Sequence, residues 1–415
     1  MQASQIKQIT ALLLIATLSM IAYNLCAQND EGFIYGTITT IEDQEYTGQI
    51  RWGKEEAFWT DHFNVGKYDN DNLEYLTRDE IRELGRDRDN WFDWDWGRWT
   101  RYGDRMEHLH SLVCQFGEVS GIEVYGREKA IVTLRNGMKV KVKGQGYNDI
   151  GSKIRVLDDE LGLITIRWSQ IDNIAFSATP KKLNSKMGEA LFGDVYTSEG
   201  KFTGFVQWDH DERLSIDELD GDTMDGDVSI KFGKIRKIEN RGNSSDVELK
   251  SGRKLNLRGT NDVDRDNDGI IVTLTNGSRI DIPWEEFDKV EFKDNRSSGR
   301  SYDSFKNQNE LQGTVVTGSG EKISGKIIFD LDEQFDFEVI QGKYHDLEYL
   351  LPLREVVKIT PKNYDNSYVE LRNGQKLLLG DAQDVSDRND GILVFKGNSD
   401  PQYIPWDEVE EVMFN

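Results

Sequence analysis

The sequence predicts an all-β chain of three tandem repeats, because three different lines of it each occur three times in the same order. A closing line, "QYIPWDEVEEVMFN" from Gln402 to Asn415, recurs as "IRWSQIDNIAF" around Trp168 and as "IPWEEFDKVEF" around Trp284. An opening line recurs as "GTITTIEDQEYTGQIRW" from Gly36, "GDVYTSEGKFTGFVQW" from Gly193 and "GTVVTGSGEKISGKIIF" from Gly313. A middle line recurs as "IVTLRNGMKVKV" from Ile131, "VELKSGRKLNL" from Val247 and "VELRNGQKLLL" from Val369.

Each line has a local physical meaning. The opening line carries a Gly, a β-branched residue two positions on, a Thr four on (Thr40, Thr197, Thr317) and a polar turn. It then has a second Gly (Gly48, Gly204, Gly325) and an alternating run that ends in an aromatic. That pattern predicts a β-hairpin with one buried face, and the second Gly is expected to allow a bend or bulge. The middle line places Asn136-Gly137, Ser251-Gly252 and Asn373-Gly374 between alternating strands, a strong hairpin-turn signal. Downstream, "GYNDI", "GTNDV" and "GDAQDV" bring Asp149, Asp262 and Asp384 into register.

The closing line spaces apolar residues three apart, as in Trp168, Ile171 and Ile174, or Trp284, Phe287 and Val290. Weaker copies are Phe116, Val119 and Ile122, then Phe232, Ile235 and Ile238, then Leu353, Val356 and Ile359. This spacing predicts a strand end, one tight helical turn and the start of a closing strand. The predicted organisation is a signal peptide at 1–27 and repeats at 28–177, 190–293 and 311–415. Polar linkers at 178–189 and 294–310 separate the repeats, and each repeat is made of two half-units. A half-unit of about 50 residues is marginal alone, so the two halves are expected to share a core sealed by the closing Trp.

Repeat one carries an insertion at about 73–110 that the other two lack. Thr77 with Glu80 forms a capping box, Ile81 and Leu84 supply an apolar face, and Gly85 is expected to end a short helix. The stretch "RDRDNWFDWDWGRWTRYGD" follows. Trp91, Trp94, Trp96, Trp99 and Tyr102 beside Arg98 and Arg101 form the candidate partner-binding set, since Trp and Arg dominate binding hot spots. The competing expectation is a half-buried strand whose aromatics cap the fold.

The half-unit plan, a hairpin opened by Gly-Xaa-Val-Xaa-Thr and closed by a helical turn before the last strand, resembles the small Src-homology-3-like barrels of PRC and Sm type. The resemblance implies a barrel used for binding, and it carries over no individual functional residue.

The chain has a formal net charge of −24, with six prolines and 38 glycines in 415 residues. Such acidity repels phosphate backbones and anionic lipid, which excludes nucleic acid as a natural partner and leaves proteins, glycans and cations. Lys7, an apolar run from Ile9 to Ala22 and "NLCAQ" read as an export signal cleaved after Ala27, with no transmembrane segment in the mature chain. Cys26 stands in an unfavourable context for lipidation, and the mature chain keeps Cys114 as its single thiol, so no internal disulfide forms. The periplasm or the cell exterior is the expected location.

Chemistry-bearing candidates are few. Asp264, Asp266 and Asp268 with Gly269 match the first half of a calcium loop, but its twelfth position is Thr275, so an acidic hairpin turn competes with calcium as the explanation. His108 and His110, with Glu107, His62 and Asp61, form the one transition-metal pattern. Glu55, Glu56, Asp61 and His62 could pose as acid and base, although no nucleophile motif accompanies them. The expected function is a non-enzymatic binding or scaffold protein of the cell envelope. A carboxylate-dependent glycan hydrolase and a calcium-stabilised structural protein are the alternatives.

Overall fold

A computed structural model of the chain describes residues 29–88, 111–144, 149–295, 297–397 and 400–415. The fold is all-β, as the alternating patterns predict: among the described residues thirty strands form a 10-stranded sheet, an 18-stranded sheet and a 2-stranded hairpin. The α-helix Arg78–Arg88 stands alone among the described residues, and no described helix is long and apolar enough to cross a membrane.

The strands fall into three sets of ten, at 35–176, 192–292 and 312–414, and their pairings follow one order three times. Within each set the second strand lies between the first and the eighth, the eighth pairs with the ninth, and the tenth lies between the first and the fifth. The fifth, sixth and seventh then follow as a meander. The same order holds in the second set and in the third. The third and fourth strands form a hairpin, which stands as a separate sheet in the second set and pairs through its third strand with the seventh in the first and third sets.

No closed barrel forms among the described residues. The tenth strand explains this, because it bridges the first and fifth strands and so fuses the two halves of a set into one continuous open sheet. The second and third sets are joined in turn, through Arg279–Ile282 against Leu347–Pro352.

The closing lines behave as their spacing predicts. Tight helical turns occupy Phe116–Glu118, Trp168–Gln170, Phe232–Lys234, Leu353–Glu355 and Trp406–Glu408, and at Trp284 the Phe287 amide closes a turn on the Trp284 carbonyl. Trp168, Trp284 and Trp406 are buried at 4%, 3% and 7% exposure. Each large indole fills space between sheet faces that no neighbour can refill. The opening-line glycines serve close backbone approach. A Cβ at Gly48 would lie 1.9 Å from the Leu157 carbonyl oxygen, and one at Gly325 would lie 2.1 Å from that of Phe395.

Two large cores result, and neither respects a single set. One runs through the second and third sets together; the other fills the first set and takes in Phe335 and Phe337 from the third. The segment 294–310, expected as a polar crossing, contributes Tyr302 and Phe305 to that second core. The Tyr302 hydroxyl donates to the Val119 carbonyl at 2.9 Å, and the Phe305 ring rests on Gly117, where a Cβ would be 2.4 Å away. Two aromatics in a polar stretch gain more from burial than the stretch loses by being ordered.

Truncating any of Trp168, Trp284 or Trp406 to Ala is expected to cost about 3–5 kcal/mol in denaturant unfolding. A loss under about 1 kcal/mol at all three would mean that these indoles do not seal a core.

Candidate functional site

The insertion enters the fold at the tip of a hairpin. Strands His62–Lys67 and Ser111–Gln115 pair in register from His62 opposite Gln115 to Gly66 opposite Ser111. The equivalent hairpins, Glu218–Thr223 with Gly226–Lys231 and Val339–Tyr344 with Leu347–Pro352, are closed by two-residue turns. The connection in the first set therefore replaces a tight turn with residues 68–110, starting a few positions before the expected boundary at Leu73.

The stem of this insertion is anchored to the third set. Asn70 and Asn72 donate from their side-chain amides to the Leu331 carbonyl at 3.2 and 2.9 Å. Leu76 is buried against Ile328, Leu331 and Leu393, with Leu73, Leu84, Phe395 and Tyr403 packed around them. The Tyr75 ring meets Phe395 edge-on at 5.3 Å.

The expected capping box is present. Glu80 accepts from the Thr77 amide at 2.6 Å, and the Glu80 amide donates to the Thr77 hydroxyl at 3.3 Å. The helix runs on to Arg88 instead of ending at Gly85, because an interior Gly costs only about 1 kcal/mol and no Pro follows to stop it. Trp91, Trp94, Trp96, Trp99, Tyr102, Arg98 and Arg101 lie outside the described residues, as do Glu107, His108 and His110.

Buried charges clamp the three sets to one another. Asp61, Asp217 and Glu338 occupy matching positions after the opening hairpins, and each accepts two backbone amides of its own turn. The donors are Ala57 and Phe58, Arg213 and Leu214, and Gln334 and Phe335, at 2.7–2.9 Å. Each carboxylate also reaches a cation of another set: Asp61 meets Arg213 at 2.6 Å, Asp217 meets Arg51 at 2.6 Å, and Glu338 meets Lys67 at 3.3 Å. Lys67 lies still closer to Asp332, at 2.7 Å. Burial works against the Lys67 charge, but Asp332 and Glu338 outweigh it and raise its pKa. Between the first and third sets, Arg354 meets the buried Glu118 at 2.7 Å.

A second acidic group brings the in-register Asp149, Asp262 and Asp384 beside Glu56 and its counterparts Glu212 and Glu333, a grouping the sequence does not announce. Glu56, Glu212 and Glu333 follow the aromatic ends of the opening lines by four residues, and each makes the same backbone bridge, to Trp52, Trp208 and Phe329. Asp149, Asp262 and Asp384 sit beside them. Each accepts the amide at the third strand's start, on Asn64, Asp220 and Gln341, at 2.5–2.7 Å. Burial, reinforced by neighbouring carboxylates, pushes Glu212 up to about 9 and drives Glu56 and Glu333 upward too. Asp209 rises to about 7, chiefly through burial. At neutral pH the Glu212 carboxyl is thus protonated and can donate a hydrogen bond.

The remaining candidates separate. Asp264 accepts the Asp266 amide at 3.1 Å, and the Asp268 amide donates to Asp209 at 2.6 Å, which is the acidic-turn arrangement. Among the described residues no three His, Cys, Asp or Glu side chains are placed to hold a metal ion. Asp61 is committed to its turn and to Arg213, while His62 is 3% exposed with neither ring nitrogen bonded to a described residue. Burial first and then Arg279 push the His62 imidazole down to about 3, so it is neutral. An open pocket of about 540 Å³, bordered by Tyr196, Lys201, Arg241 and Lys289, shares no lining residue with the acidic group or the stem. Comparison with protein-family models, with curated proteins and with solved structures finds no match.

Two outcomes follow from these charges. Arg213→Ala leaves Asp61 buried without its cation and is expected to cost about 3–5 kcal/mol; an effect within about 0.5 kcal/mol would mean that the pair does not clamp the sets. The second concerns pH. The fold favours the protonated carboxyls of Asp209 and Glu212, so their contribution is complete below the ordinary carboxylate range and is lost as pH rises through about 7 and about 9. The fold favours neutral His62, whose contribution is present above its ordinary value of 6.5 and is lost as pH falls towards about 3. The two carboxyls begin to lose their contribution at the ordinary carboxylate range and together outweigh His62 above it, so melting temperature is expected to peak near pH ~4 and to fall from there towards alkaline pH, with Glu212→Gln flattening that fall. A melting temperature that stays level from neutral to alkaline pH contradicts this.

Proposed function

We propose that this chain is an exported, non-enzymatic binding or scaffold protein of the cell envelope that recognises a protein or glycan partner through its insertion. We read its body as three copies of one ten-strand unit, at 28–177, 190–293 and 311–415, each combining two halves with the hairpin-and-turn plan of Src-homology-3-like barrels. The periplasmic or secreted location rests on the leader at 1–27.

The single observation that carries the recognition reading is the interrupted hairpin. Strands His62–Lys67 and Ser111–Gln115 pair over five positions against six in each of their two counterparts, which need only a two-residue turn. Residues 68–110 are therefore not needed to form the hairpin. Concentrating Trp91, Trp94, Trp96 and Trp99 beside Arg98, Arg101 and Arg105 in such a place suits recognition, because Trp faces stack on sugars or cations and Arg pairs with acidic groups.

The anchored stem sets the design of the test. Replacing 89–110 by a Gly-Ser linker keeps Leu73, Leu76 and Leu84 in place. It is expected to leave the melting temperature within a few degrees while abolishing retention of envelope material by the immobilised chain. Extending the replacement back to Leu73 removes the buried Leu76 and is expected to cost about 2–5 kcal/mol as well. Unfolding of the first set by the 89–110 replacement alone would assign those tryptophans to a core and remove the support for recognition.

A further inference from the structure

The pairing order that recurs in the three sets leaves one joint made and one unmade. Within the chain, the ninth strand of the second set, Arg279–Ile282, is covered on its outer edge by the fourth strand of the third set, Leu347–Pro352. The register is Arg279 opposite Leu350, Ile280 opposite Tyr349 and Asp281 opposite Glu348. That pairing buries Ile280 to 1% and Tyr349 to 4% exposure.

The ninth strand of the first set, Gly162–Ile166, pairs on its inner edge with Ile154–Asp158 and on its outer edge with no described residue. The fourth strand of the second set, Gly226–Lys231, likewise pairs only with Glu218–Thr223. Both open edges carry exposed apolar side chains: Leu161 at 69% and Leu163 at 57% beside the first, Met224 at 94% at the turn of the second. Open edges with apolar neighbours are templates for strand addition unless something covers them.

The geometry points to a second copy of this chain as the occupant, with Gly162–Ile166 of one copy adding to Gly226–Lys231 of the next. The joint inside the chain supplies the register. Ile166 and Ile282 both stand two residues before a closing Trp, and Lys231 and Pro352 both stand immediately before a helical turn. Aligning the strands on these marks sets Leu163 opposite Ser229, Ile164 opposite Val228 and Thr165 opposite Asp227. Ile164 and Val228 then hold the places of Ile280 and Tyr349. They are half-buried at the open edges, where their counterparts in the made joint are fully buried. Thr165 and Asp227 hold the places of Asp281 and Glu348, and a hydroxyl facing a carboxylate replaces two facing carboxylates. Antiparallel addition in this register satisfies backbone groups of both edges without moving a core residue.

The contact joins two different surfaces, so it is head-to-tail and generates a ring or a filament instead of a closed two-fold dimer. An envelope scaffold gains reach from such an assembly, and the edges involved are distinct from the insertion.

The test adds single cysteines to the mature chain from residue 28 onward, whose one native thiol, Cys114, is buried. Thr165→Cys and Asp227→Cys variants are oxidised mildly, separately and as an equimolar mixture, and read by non-reducing gel and sedimentation. The expected result is a band of doubled mass in the mixture and not in either variant alone. Unsubstituted protein is expected to shift to larger species with rising concentration, a shift that Leu163→Lys suppresses while leaving the melting temperature unchanged. Adducts of Thr165→Cys with itself would assign the edge to symmetric pairing and overturn the proposal. A chain that stays monomeric throughout the concentration series with no cross-link overturns it as well.

Discussion

Arg213 is fully buried, and the fold depends on how its charge is answered. A guanidinium without water must be paired, and Asp61, which belongs to a different set of strands, answers it at 2.6 Å. The same carboxylate closes its own turn on the Ala57 and Phe58 amides, so one side chain both shapes a loop and locks two sets together. Asp217 with Arg51 and Glu338 with Lys67 repeat the device. An acid at this position costs nothing extra within its own set. Its second partner exists only when a neighbouring set has docked, which couples local folding to global assembly. The shared cores extend that coupling, since neither of the two large ones belongs to one set.

A scaffold clamped in this way can hold a recognition element without being remodelled by it. The insertion leaves the body from a hairpin whose strands are fixed by sheet pairing. Its stem is pinned by the Asn70 and Asn72 side chains and by Leu76. If the tryptophan-rich stretch binds a partner as proposed, a pinned stem lowers the ordering cost of that binding. The raised carboxyls of Glu56, Glu212 and Glu333 follow from the same packing, for burial beside other carboxylates penalises the ionised form.

Much of this was legible in the sequence because it is local. Strand alternation, the three-residue spacing of the closing lines and the Thr77–Glu80 box all report structure made within a few residues, and all appear where expected. The place of the insertion was legible for a related reason, since two other copies of the line show what the hairpin looks like without it. The misses are long-range. Nothing near Arg213 announces Asp61, and nothing near Lys67 announces Asp332, 265 residues away. Tyr302 and Phe305 sit in a stretch whose composition reads as linker, and only the groove beside Gly117 and Val119 explains their burial. Barrel closure was misjudged because the tenth strand's two neighbours, the first and the fifth, cannot be inferred from the tenth strand itself. In the sequence the opening-line glycines suggest a bend or bulge, whereas their use is the approach of Gly48 to Leu157 and of Gly325 to Phe395.

If buried cross-set pairs and shared cores make the three sets one cooperative body, the unfolding of the whole chain should reveal it directly. Differential scanning calorimetry compares the heat absorbed with the enthalpy implied by the sharpness of the transition, and the two agree only when everything unfolds together. A single endotherm with a ratio of the two enthalpies near ~1 is expected at pH ~6. Two or three resolved endotherms, or one broad endotherm whose calorimetric enthalpy is severalfold the van't Hoff value, would show the sets to be independent domains and would contradict the clamp.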